Sequence, residues 1–150
     1  VDLLRFLLQR DPLSVQCLTQ SHGMASAGLD DSSMSLLEFE DQVLAQVHVS
    51  FVAKYATSRL HVLGTEGNIY AEDSLGQSGQ ATMWLSNAQG RSEVAVEKRN
   101  LYVPTVAAFV NAVEGKGQPL ASGEDGLKSM ATALTALDAA REGRKLSVTF

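Results

Sequence analysis

Between residues 34 and 98 the chain repeats one device three times: a strand-like run, a short turn, and a second strand-like run. In residues 43–52, Val43, Ala45, Val47, Val49 and Phe51 alternate with Leu44, Gln46, His48 and Ser50, the period-two pattern of a strand with one buried face. Its partner is residues 34–39, reached across Glu40-Asp41-Gln42. That connection lacks glycine, which predicts a longer or bulged turn. Residues 59–63 and 68–72 flank Gly64-Thr65-Glu66-Gly67, where two glycines tolerate positive φ. Residues 82–86 and 92–98 turn at Asn87-Ala88-Gln89-Gly90. Strands joined this closely must run antiparallel, because parallel neighbours need long crossovers.

Helical periods frame this sheet. The chain opens on Asp2-Leu3-Leu4-Arg5-Phe6-Leu7-Leu8, with Asp2, Arg5 and Gln9 on a polar stripe, and Asp11-Pro12 is expected to end the helix. A helix starting at once, on Val1 rather than Met, is expected to be preceded by further chain. Residues 13–21 read as a strand and 22–32 as a Gly-, Ser- and Asp-rich loop. Tyr102, Val106, Phe109, Val110 and Val113 recur at helical spacing up to Gly115 and Gly117, with Pro104 near the first turn. Ser122 stands three residues before Asp125, a helix-start signal. The helix that follows is expected to bury Leu127, Met130, Ala131, Leu134 and Leu137 and to end at Gly143, ahead of a last strand over 145–150. The expected fold is α+β: an open, mostly antiparallel sheet of about six to eight strands, helices on one face and the other face free for oligomer contact.

Composition narrows the function. At 150 residues, 45% hydrophobic and 19% charged, the chain suits one domain with one core. A net charge of -5 argues against nucleic acid, whose binding rests on Lys and Arg. No apolar run reaches the ~20 residues of a membrane helix, and no signal-like segment is present. Cys17 is the only cysteine; it excludes an intramolecular disulfide, fits a cytoplasmic setting and, between Val15 and Leu18, reads as a small buried hydrophobe.

Familiar catalytic patterns are missing. No glycine cluster links a strand to a helix in the manner that cradles a pyrophosphate. His22, His48 and His61 lack metal-ligand spacing and cysteine partners, so no metal is expected. By parity His48 and His61 share the open face with Leu44, Gln46 and Leu63; they are read as ordinary sheet-face residues, close together only if their strands are neighbours. Glu124 and Asp125 are explained by capping, and Asp30-Asp31 by a solvated loop. Trp84 falls on the face of Thr82 and Ser86, where it covers an open face, an interface or the core.

Several segments resemble the C-terminal domain of the glucose-fructose oxidoreductase / inositol dehydrogenase (Gfo/Idh/MocA) family: VDLLRFLL, LHVLGTEGNIYAED and NLYVPTVAAFVNAVEGKGQPLASGEDGLKSMATALTALDAAREGRKLSV. AQVHVSFVAKYATSRLHVLGTEG and RNLYVPTVAAF resemble its 1,5-anhydrofructose reductase branch. The resemblance implies a parent in which a Rossmann domain holds NAD or NADP and hydride passes between the nucleotide and a sugar, polyol or related carbonyl compound. Residues 1–150 would then be its substrate-binding and oligomerisation domain, inactive alone, with the nucleotide loop, the lysine and the histidine acid all lying upstream. It also implies that Lys54 and Tyr55, at the end of a strand entering the cleft, and Tyr102, opening the next helix, contact substrate. Their donors suit hydroxyls in a sugar-sized pocket. A homodimer or dimer of dimers through the open sheet face is expected, built around Leu44, Gln46, His48, His61 and Leu63. The rival readings are a freestanding dimerisation or ligand-binding module of the same fold, and a plain structural domain.

Overall fold

A computed structural model describes residues 1–24, 28–77 and 79–150; residues 25–27 of the expected loop lie outside the described residues. The chain divides into two compact units, Val1–Lys54 with Ala121–Phe150, and Tyr55–Leu120. The first holds α1 (Asp2–Leu8), β1 (Ser14–Gln20), β2 (Ser32–Glu38), β3 (Leu44–Ser50), α3 (Gly123–Glu142) and β8 (Leu146–Ser147). The second holds β4 (Arg59–Leu63), β5 (Gly67–Glu72), β6 (Thr82–Asn87), β7 (Gly90–Val94) and α2 (Tyr102–Val113).

The α+β class and the antiparallel pairing stand, but the strands form two four-stranded sheets, β3-β2-β1-β8 and β4-β5-β6-β7, rather than one. After Ser50 the chain leaves the ladder: Val52 N–H donates to Ser50 Oγ at 3.3 Å and Lys54 N–H to the Val52 carbonyl at 3.0 Å. His48 and His61 consequently lie on strands of different sheets, and the expected open face divides. Leu44, Gln46 and His48 stay in the first sheet, while His61 and Leu63 belong to the second.

Strand ends follow their partners. The final strand, expected over 145–150, pairs with β1 only at Leu146 and Ser147, and Val148 N–H adds a bond to the Leu13 carbonyl at 2.9 Å. Next along that edge is Pro12, which has no N–H to give. β7, expected to reach residue 98, stops at Val94 opposite Met83, one residue from the start of β6. β2 begins at Ser32, two residues early, because Asp31 N–H donates to the Gln20 carbonyl at 3.0 Å and sets the register. The glycine-free connection between β2 and β3 is indeed long: a 3-10 turn at Glu40–Gln42, with Asp41 left-handed at φ 54°.

In the first unit Val15, Leu37 and Phe39 form a fully buried cluster, with Leu4, Leu8, Ala45, Val47 and Ala136 packed against it. Cys17 is buried as expected, and Ser35 Oγ donates to its sulfur at 3.2 Å. α3 lies on β1. The expected stripe on α3 is not the buried one: Leu127, Met130 and Leu134 are 63%, 59% and 53% exposed, whereas Thr132 and Ala139 are buried. Small side chains let the helix axis approach the sheet, so the close face is the one with least volume. Ser122 closes a full capping box with Asp125, and Gly143 ends the helix at φ 65°.

α1 stops at Leu8, ahead of Asp11-Pro12, because Gln9 turns left-handed at φ 53° and its amide donates to the Phe6 carbonyl at 2.6 Å. Arg5 is no solvent-facing stripe residue either, since its side chain is 10% exposed. Arg5 Nε donates to Asp11 Oδ1 at 2.7 Å, and Nη1 reaches Asp125 Oδ1 and the Asp125 carbonyl at 3.3 Å. Lys128 Nζ takes the other Asp11 oxygen at 2.7 Å. Burial raises the Asp11 carboxyl, but Lys128 and Arg5 outweigh it and hold it below the ordinary range.

The other face of the first sheet is open. Gln16, Leu36 and Gln46 stand in one row across β1, β2 and β3, and Leu18, Met34 and His48 in the next. All but His48 and the glutamines are large exposed apolar residues, as is Leu44. No helix among the described residues is long and apolar enough to cross a membrane.

Asp11→Asn is expected to destabilise the chain by about 1–3 kcal/mol near pH 7, because it strips a charged acceptor from a nearly buried guanidinium. A depressed carboxyl stabilises above its unfolded-state value, and that contribution is lost as pH falls through the folded-state value. Urea unfolding of wild type and variant should therefore converge as pH drops below the ordinary carboxylate range. A constant gap between them would assign the loss to packing instead.

Candidate functional site

One edge of the first sheet gathers the polar chemistry of its unit. Gln20, Ser32 and Ser50 stand opposite one another where β1 ends, β2 begins and β3 ends. Asp31 sits at that edge and is 2% exposed, contrary to its reading as part of a solvated loop. Its Oδ2 accepts the His22 N–H at 2.7 Å and the Met24 N–H at 3.2 Å, and its Oδ1 lies 3.1 Å from His22 Nδ1. Burial raises this carboxyl, but the backbone N–H and ring of His22, with the Met24 N–H, outweigh it and keep the group below the ordinary range. The Asp31 carbonyl accepts the Phe51 N–H at 2.9 Å, which fixes where the chain leaves β3.

Lys54 follows on that segment. It lies four residues past the end of β3, on a turn rather than at the strand end, and closes the first unit. Tyr55 opens the second unit and is 89% exposed. Tyr102 is the exposed first residue of α2, its N–H capped by Asn100 Oδ1 at 3.0 Å.

The approach to Tyr102 is held by close backbone contact within the second unit. Leu101 N–H donates to the Gln77 carbonyl at 3.2 Å. Gly79 is buried at φ 60°, and a Cβ there would stand 1.9 Å from the Arg99 carbonyl oxygen. The apolar positions that recur at helical spacing on α2, Val106, Phe109, Val110 and Val113, are all exposed.

The second sheet carries an aromatic row instead of a metal site. His61, Tyr70 and Trp84 are directly opposite on β4, β5 and β6. The Tyr70 and Trp84 rings stack at 5.8 Å, His61 meets Tyr70 edge-on at 5.8 Å, and the Arg91 guanidinium lies 4.8 Å from the Trp84 ring centroid. Trp84 thus sits on the Thr82 and Ser86 face as the sequence suggests, spending its ring faces on neighbours. Among the described residues no group of three His, Cys, Asp or Glu side chains is placed to hold a metal ion.

The starts of the two long helices already carry side-chain caps. At the N-terminus of α3, where a phosphate would seek free N–H groups, the Asp125 carboxylate already accepts the Ser122 N–H at 2.9 Å and its hydroxyl at 2.7 Å. At the start of α2 the Asn100 side chain fills the same role.

Comparison with known proteins gives a consistent picture. A family model described as the GFO/IDH/MocA C-terminal domain matches residues 1–70. A 1,5-anhydro-D-fructose reductase of Ensifer adhaerens is 39% identical over 147 residues, covering 98% of this chain and 44% of that protein. The chain thus spans less than half the length of this relative. Among solved structures, an aldose-aldose oxidoreductase from Caulobacter crescentus complexed with glycerol superposes with a TM-score of 0.87 at 18% identity, covering 98% of this chain and 44% of that one. An oxidoreductase from Agrobacterium radiobacter in complex with NAD+, L-tartaric acid and magnesium gives 0.76 at 20% identity, covering 97% and 46%. At such identities the structures speak for the fold alone.

Gly79→Ala is expected to cost at least roughly 1–2 kcal/mol, because a side chain at positive φ is strained and this one also meets a carbonyl oxygen. Thermal unfolding checks it. An unchanged transition would mean that the backbone ahead of Tyr102 is free to shift.

Proposed function

Because the chain belongs to the Gfo/Idh/MocA family, as its C-terminal domain, we propose that it is the substrate-binding and oligomerisation half of an NAD(P)-dependent oxidoreductase. Its substrate is a sugar, polyol or related carbonyl compound. The 39% identity to a 1,5-anhydro-D-fructose reductase across nearly the whole chain is the observation that carries this reading. NAD or NADP is held by another part of the parent, a reading supported by the side-chain caps at the starts of α2 and α3. The chain alone is inactive in hydride transfer, and a cytoplasmic setting agrees with its one reduced, buried cysteine.

These residues act by binding. Lys54 supplies ammonium donors, and Tyr55 and Tyr102 supply phenolic hydroxyls; such groups orient a polyhydroxylated substrate without performing the redox step. Apolar surface on two helices supports further docking. Leu3, Phe6 and Leu7 of α1 and Leu127, Met130 and Leu134 of α3 are exposed, more than a lone domain usually leaves to water. We assign that surface to the nucleotide-binding part of the parent. The open sheet face with Leu18, Leu36 and Leu44 is assigned to a second copy, giving a homodimer or dimer of dimers.

In the full-length protein, Lys54→Ala and Tyr102→Phe are each expected to raise KM or lower kcat about tenfold while the fold survives, since each removes one hydroxyl partner. Steady-state kinetics with aldoses, polyols and 1,5-anhydro-D-fructose measures this, and unchanged constants in both variants would make them plain surface. Leu18→Lys with Leu36→Lys should leave the protein monomeric by light scattering, because like charges would meet in a desolvated layer. A wild type already monomeric at micromolar concentration would remove the second copy from this face.

A further inference from the structure

Asp31 is more than a loop clamp needs. Its carboxylate is buried at 2% exposure and spends Oδ2 on the N–H groups of His22 and Met24. Burying a charge is costly unless its bonds require it, and an asparagine carbonyl would accept the same two backbone donors. What a carboxylate adds is at the other oxygen. Oδ1 lies 3.1 Å from His22 Nδ1, and because an ionised carboxylate only accepts, Nδ1 must carry the proton. In the neutral ring that leaves Nε2 with its lone pair free.

Nε2 has no partner among the described residues, and the His22 side chain is half exposed. A buried acid therefore fixes one nitrogen of a histidine and turns the other outward as a rigid acceptor, the relation in which a third group orients a functional imidazole. Metal binding would use the same arrangement, but no cluster of three ligands stands there among the described residues.

Location gives the acceptor its use. His22 lies two residues beyond the end of β1 and Lys54 four beyond the end of β3, and those ends share the row Gln20, Ser32, Ser50. Asp31 also accepts the Phe51 N–H, so one residue holds both His22 and the root of the segment bearing Lys54. Lysine offers donors only, and a neutral histidine so held offers an acceptor. A sugar hydroxyl both donates and accepts, so an acceptor at the strand end that leads towards the Lys54 segment is complementary to a hydroxylated substrate.

We propose that His22, positioned by Asp31, is a further substrate-binding residue whose Nε2 accepts a hydrogen bond from a hydroxyl of the sugar or polyol. This rests on the reading that the parent acts on such a compound. Asp31 is a positioning residue: it touches the imidazole and not the substrate.

The test uses the full-length protein and whichever aldose, polyol or anhydro sugar it turns over best. His22→Asn retains a donor for Asp31 and removes Nε2; it should raise KM about tenfold with kcat within about twofold of wild type, a loss of binding rather than of chemistry. Asp31→Asn should raise KM likewise. In 15N-histidine spectra the His22 signals, identified by their loss in His22→Asn, should show protonated Nδ1 and bare Nε2. The Nε2 resonance should move on saturation with the sugar, measured with the non-reacting nucleotide present (oxidised for a carbonyl substrate, reduced for an alcohol) so that nothing turns over. If both variants fail to fold, the His22 signals are assigned in the wild type by correlation to the His22 backbone, and an Nε2 signal indifferent to sugar overturns the proposal. Normal KM in His22→Asn while Lys54→Ala is impaired overturns it too and leaves the oxidoreductase reading standing. Failure to turn over or bind any of these compounds brings down both.

Discussion

Arg5 carries a charge almost withdrawn from water, and the first unit is arranged around satisfying it. Its acceptors come from the turn before β1, as Asp11, and from the first turn of α3, as the side chain and carbonyl of Asp125. Sequence separations of 6 and 120 residues are thereby closed on one guanidinium. Asp125 serves twice, since the carboxylate facing Arg5 also completes the capping box of α3. Asp11 is shared in turn with Lys128, one turn further along that helix. None of these contacts is strong alone at the surface, but around a nearly buried cation each removal takes away an acceptor that water cannot fully replace. α1 is thus oriented by electrostatics as well as by Leu4 and Leu8 against the core.

Local pattern made part of this legible. The hairpins, both long helices, the Ser122 cap and the Gly143 stop follow from residues within a few positions of one another, and each lies close to where the alternation or the cap places it. What resisted reading depends on partners far along the chain. The strand at residues 145–150 alternates well, yet it shortens to two residues because Pro12 borders its partner. α3 offers two apolar stripes, and hydrophobicity favours the larger; the sheet selects the smaller, since closeness of approach decides which side is buried.

The candidate site divides the same way. Lys54, Tyr55 and Tyr102 came from resemblance to a family, and the coordinates place them on a turn, at the start of the second unit and at a helix start. Asp31 was hidden by its neighbours, because a run of Gly, Ser and Asp looks alike whether the acid points out or in. Its partner His22 lies nine residues away across a loop with no regular period. Only the ladder, bringing Gln20 opposite Ser32, makes them adjacent.

The placement of polar and apolar surface fits the proposed role in binding. An imidazole held by Asp31 stands at the end of the first sheet, and no metal cluster accompanies it among the described residues. Many of the large exposed side chains, by contrast, lie on the faces of α1, α2 and α3 and on the open face of the first sheet. Water-facing apolar area of that extent is stabilised by contact with another surface. An edge able to bind hydroxyls, beside apolar faces able to dock, is what the proposed division of labour would require, with recognition in this sheet and redox chemistry in another part of the parent.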